Sequence, residues 1–172
     1  MPFLAALLLL GAATPVNIIF DTDMHTDCDD AGALAVLHAF ADEGLARIVG
    51  VIHTAPAPSG PKCADAINTY YGRGAIPVAG MTWPDYPASP RYAAYLASAT
   101  YIETAKATYL DTVANEFPRT QTKDNAPIPD SVHLYRKLLA NAEDHAIVIC
   151  AVGQLVGLAG LLDSPPVDIA PL

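Results

Sequence analysis

Short apolar, β-branched runs alternate along this chain with stretches of helical spacing, and that alternation restricts the fold more than any other feature. Val16-Asn17-Ile18-Ile19-Phe20 reads as a buried strand. Ala31, Ala33, Leu34, Val36, Leu37 and Phe40 then recur at helix spacing, and Gly44 stands where such a helix stops. Residues 47–52 read as a second strand. Residues 62–71 read as a helix with Cys63, Ala66, Ile67 and Tyr70 on one face, and 76–79 as a third strand. Asp130 suits the N-cap of a helix reaching about Asn141, with Val132, Tyr135, Leu138 and Leu139 inward. Residues 146–151 read as another buried strand and 155–162 as a helix that Pro165 and Pro166 stop. Between 81 and 128 the pattern is less regular, with helical spacing near 92–98 and 103–116. This order implies an α/β fold: an open, mostly parallel sheet with helices on both faces. A 52% hydrophobic share over 172 residues gives one domain, residues 15–172, a real core.

Residues 1–13 are apolar without interruption. That is too short for a bilayer-crossing helix, which needs about 20 residues. The run has the form of a secretory h-region, and Ala12, Ala13 and Thr14 suit a cleavage site. The expectation is a signal peptide over residues 1–14, a secreted or periplasmic protein and no stable membrane insertion. Without that leader function, the protein is cytoplasmic. Nine Lys plus Arg against eighteen Asp plus Glu leave a formal charge of -9, which repels a phosphate backbone and excludes nucleic acid as a partner. Cys28, Cys63 and Cys150 are widely spaced and odd in number, so they read as buried free thiols rather than a disulfide framework or a zinc site.

The chemistry concentrates where the first strand meets the first helix. Asp21, Asp23, Asp27, Asp29 and Asp30 fall within ten residues. In an open parallel sheet this is the strand end at which ligands bind. Carboxylates gathered so closely repel one another unless protons or a cation neutralise them. A hard divalent ion with oxygen ligands is the natural solution, and calcium accepts six to eight such oxygens. His25 and Cys28 are the only softer donors nearby, which argues against zinc or copper. An EF-hand is excluded, because the loop lacks its Gly at the sixth position and its Glu at the twelfth.

These residues resemble the signature of the inosine–uridine-preferring nucleoside hydrolases, DxDPGxDDxxAL, here as Asp21-Thr22-Asp23…Asp29-Asp30-Ala31…Ala33-Leu34. The middle is two residues longer, as in the DTDxxxDxDD branch of that superfamily. Asp65-Ala66-Ile67-Asn68-Thr69-Tyr70-Tyr71-Gly72-Arg73 and Ile76-Pro77-Val78-Ala79-Gly80 resemble that branch's second helix and third strand. Val148-Ile149-Cys150-Ala151-Val152-Gly153-Gln154-Leu155 resembles the strand that ends in the family's GPLTN turn. The resemblance implies a Ca2+ cofactor, a small-molecule ribonucleoside substrate and hydrolysis of the N-glycosidic bond. It implies Asp23 as a metal ligand and general base, Asp30 as a bidentate metal ligand and Asp29 on the ribose hydroxyls. Asp21 would be a supporting carboxylate, with Asp27 beside it, and the Val152 carbonyl would reach the metal. His53, after the second strand, would line the substrate pocket.

Two departures bear on activity. Ala57 falls where the family has a ribose-binding Asn, and Val156-Gly157 replaces the Thr-Asn of the turn. The family's C-terminal half, which carries a further metal-ligating Asp and the residues that help the base leave, has no counterpart here, so a fragment is expected. The rival readings are a non-catalytic metal- or ligand-binding module derived from the same fold, and a haloacid-dehalogenase-type phosphatase with DxD after its first strand. Trp83, Tyr86 and Tyr92 are candidates for stacking on a base, and His25 for contacting substrate or moving protons. The sequence leaves base specificity and homo-oligomerisation open.

Overall fold

The computed structural model describes residues 14–55, 57–81, 108–123 and 126–165. The apolar leader, the 92–98 stretch and Trp83, Tyr86 and Tyr92 lie outside them. In chain order the elements are β1 (Val16–Thr22), α1 (Asp29–Asp42), β2 (Ala46–His53), α2 (Gly60–Tyr70), β3 (Val78–Gly80), α3 (Tyr109–Glu116), α4 (Ser131–Ala140), β4 (Ile147–Ala151) and α5 (Val156–Asp163). The four strands form one sheet in the order β3-β2-β1-β4, and every neighbouring pair is parallel. Among the described residues, no helix is long and apolar enough to cross a membrane.

Successive strand residues point to opposite faces, and each face has its own core. Phe20, Val51 and Val78 pack on one side with Leu34 and Leu37 of α1, Cys63 of α2 and Leu110 of α3. Ile19, Ile52 and Ala79 pack on the other with Leu134, Tyr135 and Leu138 of α4, and Leu158 and Leu161 of α5 close over them. The α/β fold with helices on both faces read from the alternation is therefore the observed one. Asp130 caps α4 as its sequence position indicates, accepting from the backbone N–H of His133 at 2.9 Å.

Several side chains take other surroundings than their spacing indicates. Val36 and Phe40 of α1 are about half exposed, and Tyr70 of α2 is largely exposed, because each helix turns a narrower stripe to the sheet than its apolar positions would fill. β4 is not fully buried. Among the described residues it is an outer strand, and Val148 and Cys150 lie exposed on the face opposite Ile147 and Ile149. The other edge is protected: Gly80 of β3 donates its N–H to the Pro129 carbonyl at 3.0 Å, and a parallel bridge joins Gly80 to Asp130. Of the three cysteines expected to be buried, only Cys63 is; Cys28 lies in the exposed acidic loop and Cys150 on the bare strand face.

The helix carrying Asp65 and Asn68 has a structural task. Asp65, fully buried, accepts from the Thr122 N–H at 2.7 Å, the Thr122 hydroxyl at 2.8 Å and the Thr120 N–H at 3.1 Å, pinning the loop after α3 to α2. Asn68 Oδ1 lies 2.9 Å from His38 Nε2, and Tyr71 stacks on the same imidazole.

Candidate active site at the end of the central strands

The strand order reverses at β1. From there the chain runs out to β2 and β3 on one side and returns to β4 on the other. Loops leaving the carboxyl ends of strands on either side of such a reversal diverge and leave a crevice. Residues 23–28, after β1, and 152–155, after β4, face each other there. They are the acidic run and the turn that holds Val152 and Gly153.

β1 runs two residues further than its apolar stretch, because Asp21 and Thr22 stay in register with Ile52 and His53 of β2. Asp21 is therefore a strand residue, fully buried. Its carboxylate accepts from the Tyr135 phenol and from the Thr54 hydroxyl, the latter at 3.2 Å. Burial outweighs these two bonds and raises the Asp21 pKa to about 6, with the charge of Asp23 adding to the rise. The Thr54 hydroxyl also lies 3.2 Å from the Thr22 carbonyl and 3.4 Å from that of Gln154, so one side chain ties the ends of β1 and β2 to the β4 turn.

Asp23 leaves the strand and sits half-buried against Gly153. A methyl group on Gly153 would lie 2.4 Å from Asp23 N and 2.8 Å from its Oδ1, so only glycine lets the two loops meet this closely. Asp30, in the first turn of α1, turns back toward Asp23 and is buried. Burial raises its pKa to about 7, and the charges of Asp23 and Asp29 push in the same direction. A side-chain hydrogen bond with Asp23 adds to the rise, and one with Thr22 offsets part of it. Asp27 and Asp29 are exposed. The structure thus brings Asp21, Asp23 and Asp30 inward and leaves the other two acids at the rim. Among the described residues, no three His, Cys, Asp or Glu side chains gather into a metal-binding group. Val152 follows β4 with its N–H donated to the Asp21 carbonyl at 2.9 Å, and its side chain is nearly half exposed.

His53 ends β2 and is buried beneath the acidic loop. Its Nε2 lies 2.9 Å from the Met24 carbonyl, which can only accept, so Nε2 carries the proton. Its Nδ1 has no partner among the described residues. Burial lowers the His53 pKa to about 4, and the ring is neutral at pH 7. On its far side the imidazole lines a cavity of about 370 Å³ between the loops after β2 and β3. His25 is half-buried in the acidic loop.

Thr54 and Tyr135 are the site residues that the sequence pattern did not single out. Tyr135 carried a usable signal: an inward-facing Tyr on a helix needs a partner for its hydroxyl, and a buried acid is the strongest on offer. Tyr135→Phe is expected to destabilise the protein by about 1–3 kcal/mol at pH 8 by leaving an ionised, buried Asp21 short of a donor. The loss should shrink below pH 6, where Asp21 holds its proton. Urea midpoints at the two pH values measure it.

No protein-family model, no curated protein and no solved structure matches the chain.

Proposed function

We propose that this chain is a nucleoside hydrolase-like domain that cleaves the N-glycosidic bond of ribonucleosides in a calcium-dependent reaction. One observation carries the reading: Asp23 and Asp30 meet at the point where the strand order reverses, with the Gly153 turn packed directly against Asp23. Burial, and after it the charges of Asp23 and Asp29, let Asp30 keep its proton to near neutral pH. Such a pair suits a hard cation, and its donors are oxygens only. Asp23, Asp30 and the Val152 carbonyl would hold calcium, with the remaining positions of its shell left to water and a ribose diol.

Bound calcium supplies Lewis acidity that makes a water molecule more readily deprotonated. Asp23 would act as the base, taking a proton from the water whose oxygen attacks the anomeric carbon. Asp29, at the rim, accepts hydrogen bonds from the ribose hydroxyls and fixes the sugar over the crevice. Asp21 lies beneath, and its bonds to Tyr135 and Thr54 keep the floor of the site rigid. Negative charge under the ribose favours the oxocarbenium-like transition state over the neutral substrate.

The test is ribose release from inosine and uridine by the purified full chain. Release in millimolar calcium that chelator suppresses and calcium restores is the expected result. A second reading, a ligand-binding module without turnover, draws on the two-carboxylate donor set and on Ala57 in place of the ribose-binding Asn. Calcium-dependent thermal stabilisation with no ribose release would select it, and melting indifferent to calcium would sink both.

A further inference from the structure

The strands are all parallel, so their amino ends lie together at the end of the sheet away from the acidic crevice. A cleft of about 900 Å³ opens there, a volume in the range of small-molecule sites. It spans the starts of the four strands, from Pro77 before β3 to Ile147 of β4, and Ile48, Leu134 and Leu138 give it apolar walls. Its charge runs against that of the chain. Acidic residues outnumber cationic ones by eighteen to nine, yet Arg47, Arg73 and Lys137 line the cleft against one acid, Glu143. Asp42 holds Arg73 in an ion pair. The side chains of Arg47 and Lys137 have no ion pair among the described residues. Leu138, beside Lys137, packs on Gly50 of β2, the strand that carries Arg47, and so draws the two cations to one cleft. The dipole of α4 favours a cation such as Lys137 in its last turn. Arg47, exposed at the second position of β2, has neither a helix end nor an acid to hold it, so stability is a poor explanation for it.

We infer that this cleft binds an organic phosphate, a phosphate monoester on an apolar, planar body, and that Arg47 and Lys137 hold its anionic head. A phosphate monoester carries close to two negative charges at neutral pH, which two unpaired cations match better than they match a single carboxylate. The Arg47 guanidinium offers a fork of N–H donors to the phosphate oxygens, and the Lys137 ammonium adds a compact charge. The net charge of the chain and the C-terminal dipole of α4 both repel anions at large. Attraction therefore depends on these two side chains and on a body that fills the apolar part of the cleft. Glu143 opposes the head and selects against placing it at that side. The site stands at the far end of the sheet from Asp23 and Asp30, so it neither rests on the hydrolase reading nor competes with a ligand in the crevice.

Calorimetric titration of the full chain with 1-naphthyl phosphate, in calcium-free buffer, tests the assignment. Wild type is expected to bind this probe with a Kd on the order of 100 µM. Inorganic phosphate and 1-naphthol are each expected to bind at least about tenfold more weakly, because one lacks the apolar body and the other the charge. Arg47→Gln and Lys137→Gln are each expected to weaken the probe about tenfold, and the double variant about 100-fold. Glu143→Gln is expected to tighten it about 2-fold to 3-fold by removing the one acid of the lining. That gain cannot come from a damaged fold. Lys123→Gln, a change at an exposed lysine outside the cleft, is the control and is expected to bind as wild type does. Absence of binding at about 5 mM probe overturns the inference. So does a double variant that binds like wild type, or a loss in Lys123→Gln equal to that in Arg47→Gln, which would mark a general charge effect. Inorganic phosphate binding as tightly as the naphthyl ester would overturn the apolar half of the site.

Discussion

Asp30→Asn is expected to make the metal-free protein more stable at pH 8 and to abolish its response to calcium. The two halves of this outcome have one cause. Asp30 in the folded chain titrates at about 7 because it is buried and faces Asp23 and Asp29. In the unfolded chain it titrates near the ordinary value of about 4. Between those values the folded state holds a proton that the unfolded state has released, so stability falls as pH rises through that window. Asp21, at about 6, contributes in the same direction. Above pH 7 the wild type carries an ionised Asp30 at a cost on the order of 3 kcal/mol. Asparagine has nearly the same shape and no charge, so the cost disappears. At pH 8 the variant should melt higher than metal-free wild type by roughly 5–10 °C, and at pH 5 the gap should be much smaller, closing only below about pH 4. Added calcium should raise the wild-type melting temperature at pH 8 and leave the variant where it was. Ribose release should fall by at least about 1000-fold, since removing a charge that holds the reacting groups typically costs on that order. Calorimetric melts at the two pH values, with calcium and with chelator, measure all of this. A variant less stable than metal-free wild type at pH 8 would mean that the pair of acids is not under the strain described.

Gly60→Ala is expected to cost about 3 kcal/mol and to weaken calcium binding as well. A methyl group at Gly60 would lie 2.0 Å from His53 Nε2 and 2.2 Å from Cε1. The imidazole is 1% exposed, and its Nε2 is engaged with the Met24 carbonyl, so it can move only by giving up that bond. Overpacking of this kind typically costs 1–3 kcal/mol, and a lost buried hydrogen bond adds about 1 kcal/mol. Met24 adjoins Asp23, so displacement of the ring shifts the loop that bears the acids. Gly32→Ala, in α1, is the control: nothing lies within 4 Å of the added methyl, and helix propensity predicts a gain of up to about 1 kcal/mol. Urea midpoints for the pair, with calcium titrations followed by melting, test the contrast. Equal stability of the two variants would show that His53 is not wedged beneath the loop.

The fold was legible because its signals are local. β-branched runs of strand length, helical spacing between them, and Asp130 as a cap each declare an element within about ten residues. Sheet order is a non-local property, and the burial of β4 was misread for that reason: residues 146–151 look like any central strand in composition, and only their position beside β1 leaves Val148 and Cys150 bare. The acidic run marked the site, yet five similar aspartates in a row do not say which of them turn inward. That depends on β1 staying paired through Thr22, which buries Asp21, and on α1 starting at Asp29, which turns Asp30 back toward Asp23. Thr54 and Tyr135 come from different segments and become neighbours of Asp21 only when the strands assemble.

The exposed position of β4 gives the crevice two walls of unequal stiffness. β1 is hydrogen-bonded on both sides, so Asp21 and Asp23 rise from the best-braced strand of the sheet. Val152 and Gly153 extend from a strand braced by β1 alone among the described residues, and outer strands open by local fluctuation more readily than central ones. The carboxylate wall therefore keeps its shape while the carbonyl wall yields. Local opening of the outer strand would widen the gap between them, and any ligand bridging the two walls would give up part of its affinity to still that motion.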